Sequence, residues 1–101
     1  MDEKIFSSEL GDVKVSIDEI ERPERKGDWS RIESEFSEKE LIDQIDFREL
    51  EEIDFDPGSY FSVIKLKISG EWKRMFFRFE DEGDDCFDFL KYQFSSYQQN
   101  H

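Results

Sequence analysis

The sequence predicts an α+β, mostly β domain: antiparallel strands followed by one C-terminal helix. Three observations carry this. Residues 60–79, YFSVIKLKISGEWKRMFFRF, alternate in character on both sides of a Gly-containing turn, which is the pattern of a β-hairpin. Nearer the N-terminus, Val13, Val15 and Ile17 alternate with Lys14, Ser16 and Asp18, as in a half-buried strand. From Asp85 the apolar spacing lengthens to the helical period, placing Cys86, Phe87, Leu90, Phe94 and Tyr97 on one stripe.

Taken in order, Ile5-Phe6 forms a first extended segment, and the Gly11-Asp12 turn separates it from the strand at 13–17. Residues 21–28 form a charged loop marked by Pro23 and Gly27. Trp29 to Phe36 alternates again, with Ile32 and Phe36 opposite Arg31, Glu33 and Glu35. Residues 37–52 support two readings. Ser37-Glu38-Lys39-Glu40 fits a capping box that would open a helix. However, Leu41, Ile42, Ile45, Phe47 and Leu50 trace no clean helical stripe. They equally fit a short strand at 39–43, a bend, and an amphipathic turn leading to Ile53 and Phe55. Asp56-Pro57-Gly58-Ser59 is a turn, because Pro57 has no N–H for a ladder.

The hairpin follows. Ile64, Leu66 and Ile68 share one side of its first strand, with Phe61, Val63, Lys65 and Lys67 on the other. Across a turn at Ser69-Gly70-Glu71, Met75, Phe77 and Phe79 alternate with Arg74, Phe76 and Arg78. An acidic loop at 80–84 leads to the helix, whose N-terminus Asp84 and Asp85 suit as cap and first-turn residues. The whole reads as a single domain over 1–101, with strands over about 4–36 and 39–79 and the helix over about 85–97.

Charge bounds the partners. The chain holds 27 acids against 14 bases, a net charge of −13, which opposes binding to DNA, RNA or anionic lipid head groups. A protein partner is favoured, a basic one in particular, although the same acidity also serves solubility. The single Cys86 excludes an intramolecular disulfide and suits a reducing compartment. No apolar run approaches the ~20 residues of a membrane-spanning helix. The first residues, MDEKIFSSEL, lack the basic and apolar regions of a secretory signal, so a cytoplasmic location is expected.

Chemistry has few candidates, and the chain is not expected to be an enzyme. The only histidine is His101, at the terminus, which leaves no Ser-His or Cys-His dyad. Cys86 lies on the apolar stripe among acids, which suppress the thiolate. Residues 80–85 and Asp88 offer oxygen ligands, but their contiguous acids do not match a calcium-binding loop. No metal and no cofactor is expected.

Strand order, loop placement and the C-terminal helix resemble the pleckstrin-homology-like superfamily, particularly its small bacterial and GRAM-type members. The resemblance covers about the last two thirds of the chain, as a pattern. In it, Ile45, Phe47, Leu50 and Ile53 precede two long strands at 60–69 and 72–79 and the helix at 85–97. It implies a curved antiparallel sandwich, or partly open barrel, capped by the helix. It also implies a binding module for lipids, peptides or protein surfaces. Lipid-binding members carry Lys and Arg on the first two strands and their loop. The matching Lys14, Arg22, Arg25, Lys26 and Arg31 are interleaved here with Asp12, Asp18, Glu19, Glu21, Glu24 and Asp28, which argues against phosphoinositide binding.

Two surface features stand out. Lys65, Lys67, Arg74 and Arg78 share the outward parity of the hairpin beside Phe76. They either pair with acidic neighbouring strands or offer a surface to an acidic peptide. Phe89 and Tyr92 lie off the helix stripe, and aromatic residues so placed are either interface residues or flank the core. The expected function is a small acidic, non-catalytic protein-interaction module. The alternative is an acidic inhibitor or nucleic-acid mimic of a basic nuclease or defence protein, using the acids of 33–56 and 80–88 as a phosphate-like array.

Overall fold

The structure, a computed structural model, describes residues 3–8, 10–24, 26–27, 41–58, 61–78 and 81–100, and among these it has seven strands in two antiparallel sheets and one helix. The elements are β1 (Lys4–Phe6), β2 (Val13–Val15), β3 (Glu19–Glu21), β4 (Gln44–Asp46), β5 (Leu50–Pro57), β6 (Phe61–Ile68), β7 (Glu71–Arg78) and α1 (Gly83–Asn100). One sheet runs β1-β2-β3-β4 and the other β5-β6-β7; no ladder joins them among the described residues, so they do not close into a barrel. The mostly β, antiparallel class with a C-terminal helix is therefore the one the sequence predicts.

The hairpin is set by its turn. Ile68 pairs with Glu71, leaving a two-residue connection in which Ser69 and Gly70 both have positive φ, 51° and 79°. That is a type I′ turn, whose twist matches the strands it joins. Glu71 already belongs to β7, so the turn is one residue tighter than its sequence suggests. Ile64, Leu66, Met75 and Phe77 from this hairpin are fully buried against Val13, Val15 and Ile20 of the four-stranded sheet. Lining one face of each sheet with β-branched and aromatic side chains makes the period-two pattern a buried layer.

The helix closes that layer with Cys86, Leu90 and Phe94, all buried. Phe87 stacks on Phe55 of β5, with ring centroids 5.2 Å apart. The helix begins at Gly83, two residues before the expected start, and a Cβ there would lie 3.1 Å from the Cβ of Phe77. Only glycine allows the helix to start so close to β7.

Residues 41–52 form strand, turn and strand, with no helix. β4 occupies 44–46, Phe47–Glu49 turn, and β5 begins at Leu50. β4 begins directly after the expected 39–43, of which residues 39–40 lie outside the described residues, and Leu41 makes only an isolated bridge to Arg74. The turn is fixed by Phe47, whose N–H donates to the Asp18 carbonyl at 2.8 Å. Its buried ring meets Phe94 and Tyr97 edge-on at 5.7 and 5.8 Å. Ile17 also departs from its expected place. It sits at the β2–β3 tip and is 55% exposed, because Val15 pairs with Ile20 and the chain reverses between them. The 37–40 capping box, the 29–36 alternation and Phe79 lie outside the described residues.

Candidate interaction groove

Placing β1 at the end of its sheet leaves its outer edge beside the first turns of α1. Glu82, Asp85, Phe89 and Tyr92 recur at intervals of three and four, so they fall on one helical face. Between that face and β1 runs a groove of about 800 Å³, with Glu3, Lys4, Ile5 and Phe6 on one wall and Asp85, Asp88, Phe89 and Tyr92 on the other. One end is tied: the Ser7 N–H donates to Glu82 Oε2 at 3.2 Å.

The two aromatics named by the sequence have different roles here. Phe89 is half-buried, its ring 6.0 Å from that of Phe6, with the Lys4 ammonium 5.0 Å from its centroid. It forms the groove floor and part of the core margin, held by ring packing and a cation–π contact. Tyr92 is 67% exposed and stands on the rim, which is also bordered by Ile5, 63% exposed. The remaining large apolar side chain exposed among the described residues is Ile17. Two of the three large apolar side chains exposed among the described residues thus lie along a single groove.

The basic strip has a different environment. Lys65 lies across from Arg74, and Lys67 across from Trp72. From β5, Glu52 meets Lys67 at 3.4 Å and Asp56 meets Lys65 at 3.8 Å. These are cross-strand pairs of opposite charge, the first of the two readings the sequence allowed. Arg78 is exposed at the end of β7. Phe76 is not part of a contact surface: only 2% exposed, it packs in a second small cluster with Leu10 and Leu41. Its parity is outward from the main core, but segments distant in sequence cover it. None of these five residues lines the groove.

Elsewhere the cations are engaged. Lys14 bonds to Glu21 at 3.0 Å, and that hydrogen bond, with the charges of Glu21, Glu3 and Glu19, raises its pKa above the ordinary lysine value. Arg22 is buried and donates to the Ile42 carbonyl at 3.3 Å and to Asp43 Oδ1 at 3.2 Å. Lys26 approaches Glu24 at 3.6 Å, while Arg25 and Arg31 lie outside the described residues. Burial, assisted by the Glu82 charge, pushes the Cys86 thiol up to about 12, so it remains a protonated core group at neutral pH.

No three His, Cys, Asp or Glu side chains come together to hold a metal among the described residues, and no described helix is long and apolar enough to cross a membrane. No family model, curated protein or solved structure matches the chain. The groove rests on two features absent from the sequence reading. The exposed Ile5 and the edge position of β1 follow from sheet order, which no local pattern encodes. The helix wall was legible from its spacing.

Proposed function

We propose that this chain is a small, acidic, non-catalytic protein-interaction module that takes its partner in the groove between β1 and α1. The observation that carries this is the convergence of Ile5 and Tyr92, both well over half exposed, on one groove floored by Phe89. Exposed apolar side chains scattered singly are ordinary, whereas a contiguous set beside a groove marks an interaction site. The order of elements among the described residues, four strands, then three, then a C-terminal helix, supports a pleckstrin-homology-like reading of the chain. The engagement of Lys14, Arg22 and Lys26 by carboxylates supports a protein partner over a phosphoinositide. A nucleic-acid mimic needs a bare carboxylate array, and the pairing of Glu52 and Asp56 with lysines weighs against that use of β5. A reducing, cytoplasmic setting suits the free, buried Cys86.

The test is affinity capture from native lysate at low and high salt, with wild-type, Tyr92→Ala and Ile17→Ala baits. A partner retained at high salt by wild type and Ile17→Ala but lost from Tyr92→Ala is the expected result. A basic nucleic-acid enzyme captured only at low salt, and equally by all three baits, would replace this reading with the inhibitor.

A further inference from the structure

We propose that the groove accepts one extended basic segment of a partner protein, added as a strand along the outer edge of β1. This rests on the interaction-module reading and names its ligand. β1 is the terminal strand of its sheet, and no strand lies beyond it among the described residues. A sheet edge offers backbone N–H and C=O groups to an incoming extended chain. Among the described residues, the groove beside it carries Glu3, Glu82, Asp85 and Asp88 against one cation, Lys4, which leans over Phe89. Near the helix start the dipole offsets part of that negative charge, but Asp88 lies beyond the first turn.

Geometry sets the length and pattern of the segment. Glu82 to Tyr92 spans roughly 15 Å at the helical rise, the length of about five residues of extended strand. Side chains of an added strand alternate as those of β1 do. Phe6 points into the core, and Lys4, of the same parity, lies over Phe89; Ile5 is exposed at the rim, where it also borders a smaller cavity lined by Asp12 and Pro23. Alternate positions of the segment therefore face Asp85, Asp88 and Tyr92, which suit Lys or Arg with their long apolar stems. The intervening positions lie beside Ile5, which suits small or branched apolar residues. A second copy of the chain is the poorer occupant, because each copy carries a net charge of −13.

The experiment is selection from a randomised heptapeptide display library on immobilised wild-type protein, with Tyr92→Ala panned in parallel. Selected sequences are then synthesised and their affinities measured by fluorescence anisotropy. The expected sequences alternate Lys or Arg with apolar residues. Their affinity should fall roughly tenfold in Asp85→Asn/Asp88→Asn, with helix content checked by circular dichroism. Proline at a central position should abolish binding, and amide exchange at Lys4–Phe6 should slow in the complex. Peptides that need Tyr92 but are acidic or unpatterned, or tolerate proline throughout, would overturn the basic strand while leaving the module. No enrichment over the Tyr92→Ala panning would overturn both. A dimer seen by sedimentation and abolished by Tyr92→Ala would replace the peptide with a second copy.

Discussion

Phe89 and Tyr92 are three residues apart on α1, and truncating each to alanine should have opposite consequences. A fully buried Phe→Ala change costs about 3–5 kcal/mol. Phe89 is half-buried, which roughly halves the transfer and cavity cost. Its ring contact with Phe6 at 6.0 Å adds an aromatic pair, of a kind that contributes about 0.5–1.5 kcal/mol. Phe89→Ala should therefore destabilise the fold by about 2–4 kcal/mol. With a urea slope near 1 kcal/mol/M for a chain of this size, the unfolding midpoint should fall by about 2–4 M. Tyr92 is 67% exposed, with its ring on the groove rim. Its removal should change stability by no more than about 0.5 kcal/mol. The assay is urea unfolding of both variants followed by far-UV circular dichroism. A midpoint loss of 1 M or more in Tyr92→Ala, or none in Phe89→Ala, would refute the assignment of rim and floor. The practical consequence is that Tyr92→Ala isolates binding, whereas Phe89→Ala confounds it with folding.

Other substitutions test the scaffold. Phe47→Ala removes the ring that joins the β4–β5 turn to Phe94 and Tyr97; it should cost about 4 kcal/mol and abolish a cooperative thermal transition in a marginally stable domain. Gly70→Ala should cost about 1 kcal/mol in urea unfolding. The cause is backbone conformation alone, since φ is 79° and an added Cβ would have nothing within 4 Å. Cys86 predicts a pH dependence. Its thiol titrates near 9.0 when unfolded and at about 12 when folded, so above pH 9 the unfolded state loses a proton that the folded state keeps. Stability should then decline by up to about 1.4 kcal/mol per pH unit through that window. Comparing denaturant midpoints of wild type and Cys86→Ala from pH 8 to pH 11 isolates the effect; parallel curves would contradict it.

The hairpin and the C-terminal helix were legible because each carries an uninterrupted period with its own stop signal. Ser69-Gly70 fixes the first, and the switch after the acidic loop marks the second. Residues 41–53 were not legible for a specific reason. Their apolar positions belong to two short strands and the intervening turn, so Phe47 buries from a turn and no single period survives. β4 contributes one core side chain, Ile45, too little for any pattern. Phe76 and Ile17 show the same limit from opposite directions. Phe76 has outward parity but lies beneath Leu10 and Leu41, which only the tertiary fold brings over it. Ile17 continues an alternation yet falls at a hairpin tip, because the register of Val15 with Ile20 ends the strand earlier. Of the groove, the helix wall was readable as aromatics off the core stripe. The β1 wall was not, because an edge is defined by the absence of a neighbour.

The most direct test of the central claim places a photo-crosslinking phenylalanine analogue at position 92, and in a second preparation at position 17, and irradiates each in native lysate. Both positions are well exposed, at 67% and 55%, but only position 92 borders the groove. A discrete adduct from position 92 and none from position 17 is the predicted result. Equal labelling from both positions, or an adduct from position 17 alone, would contradict the groove as the contact surface.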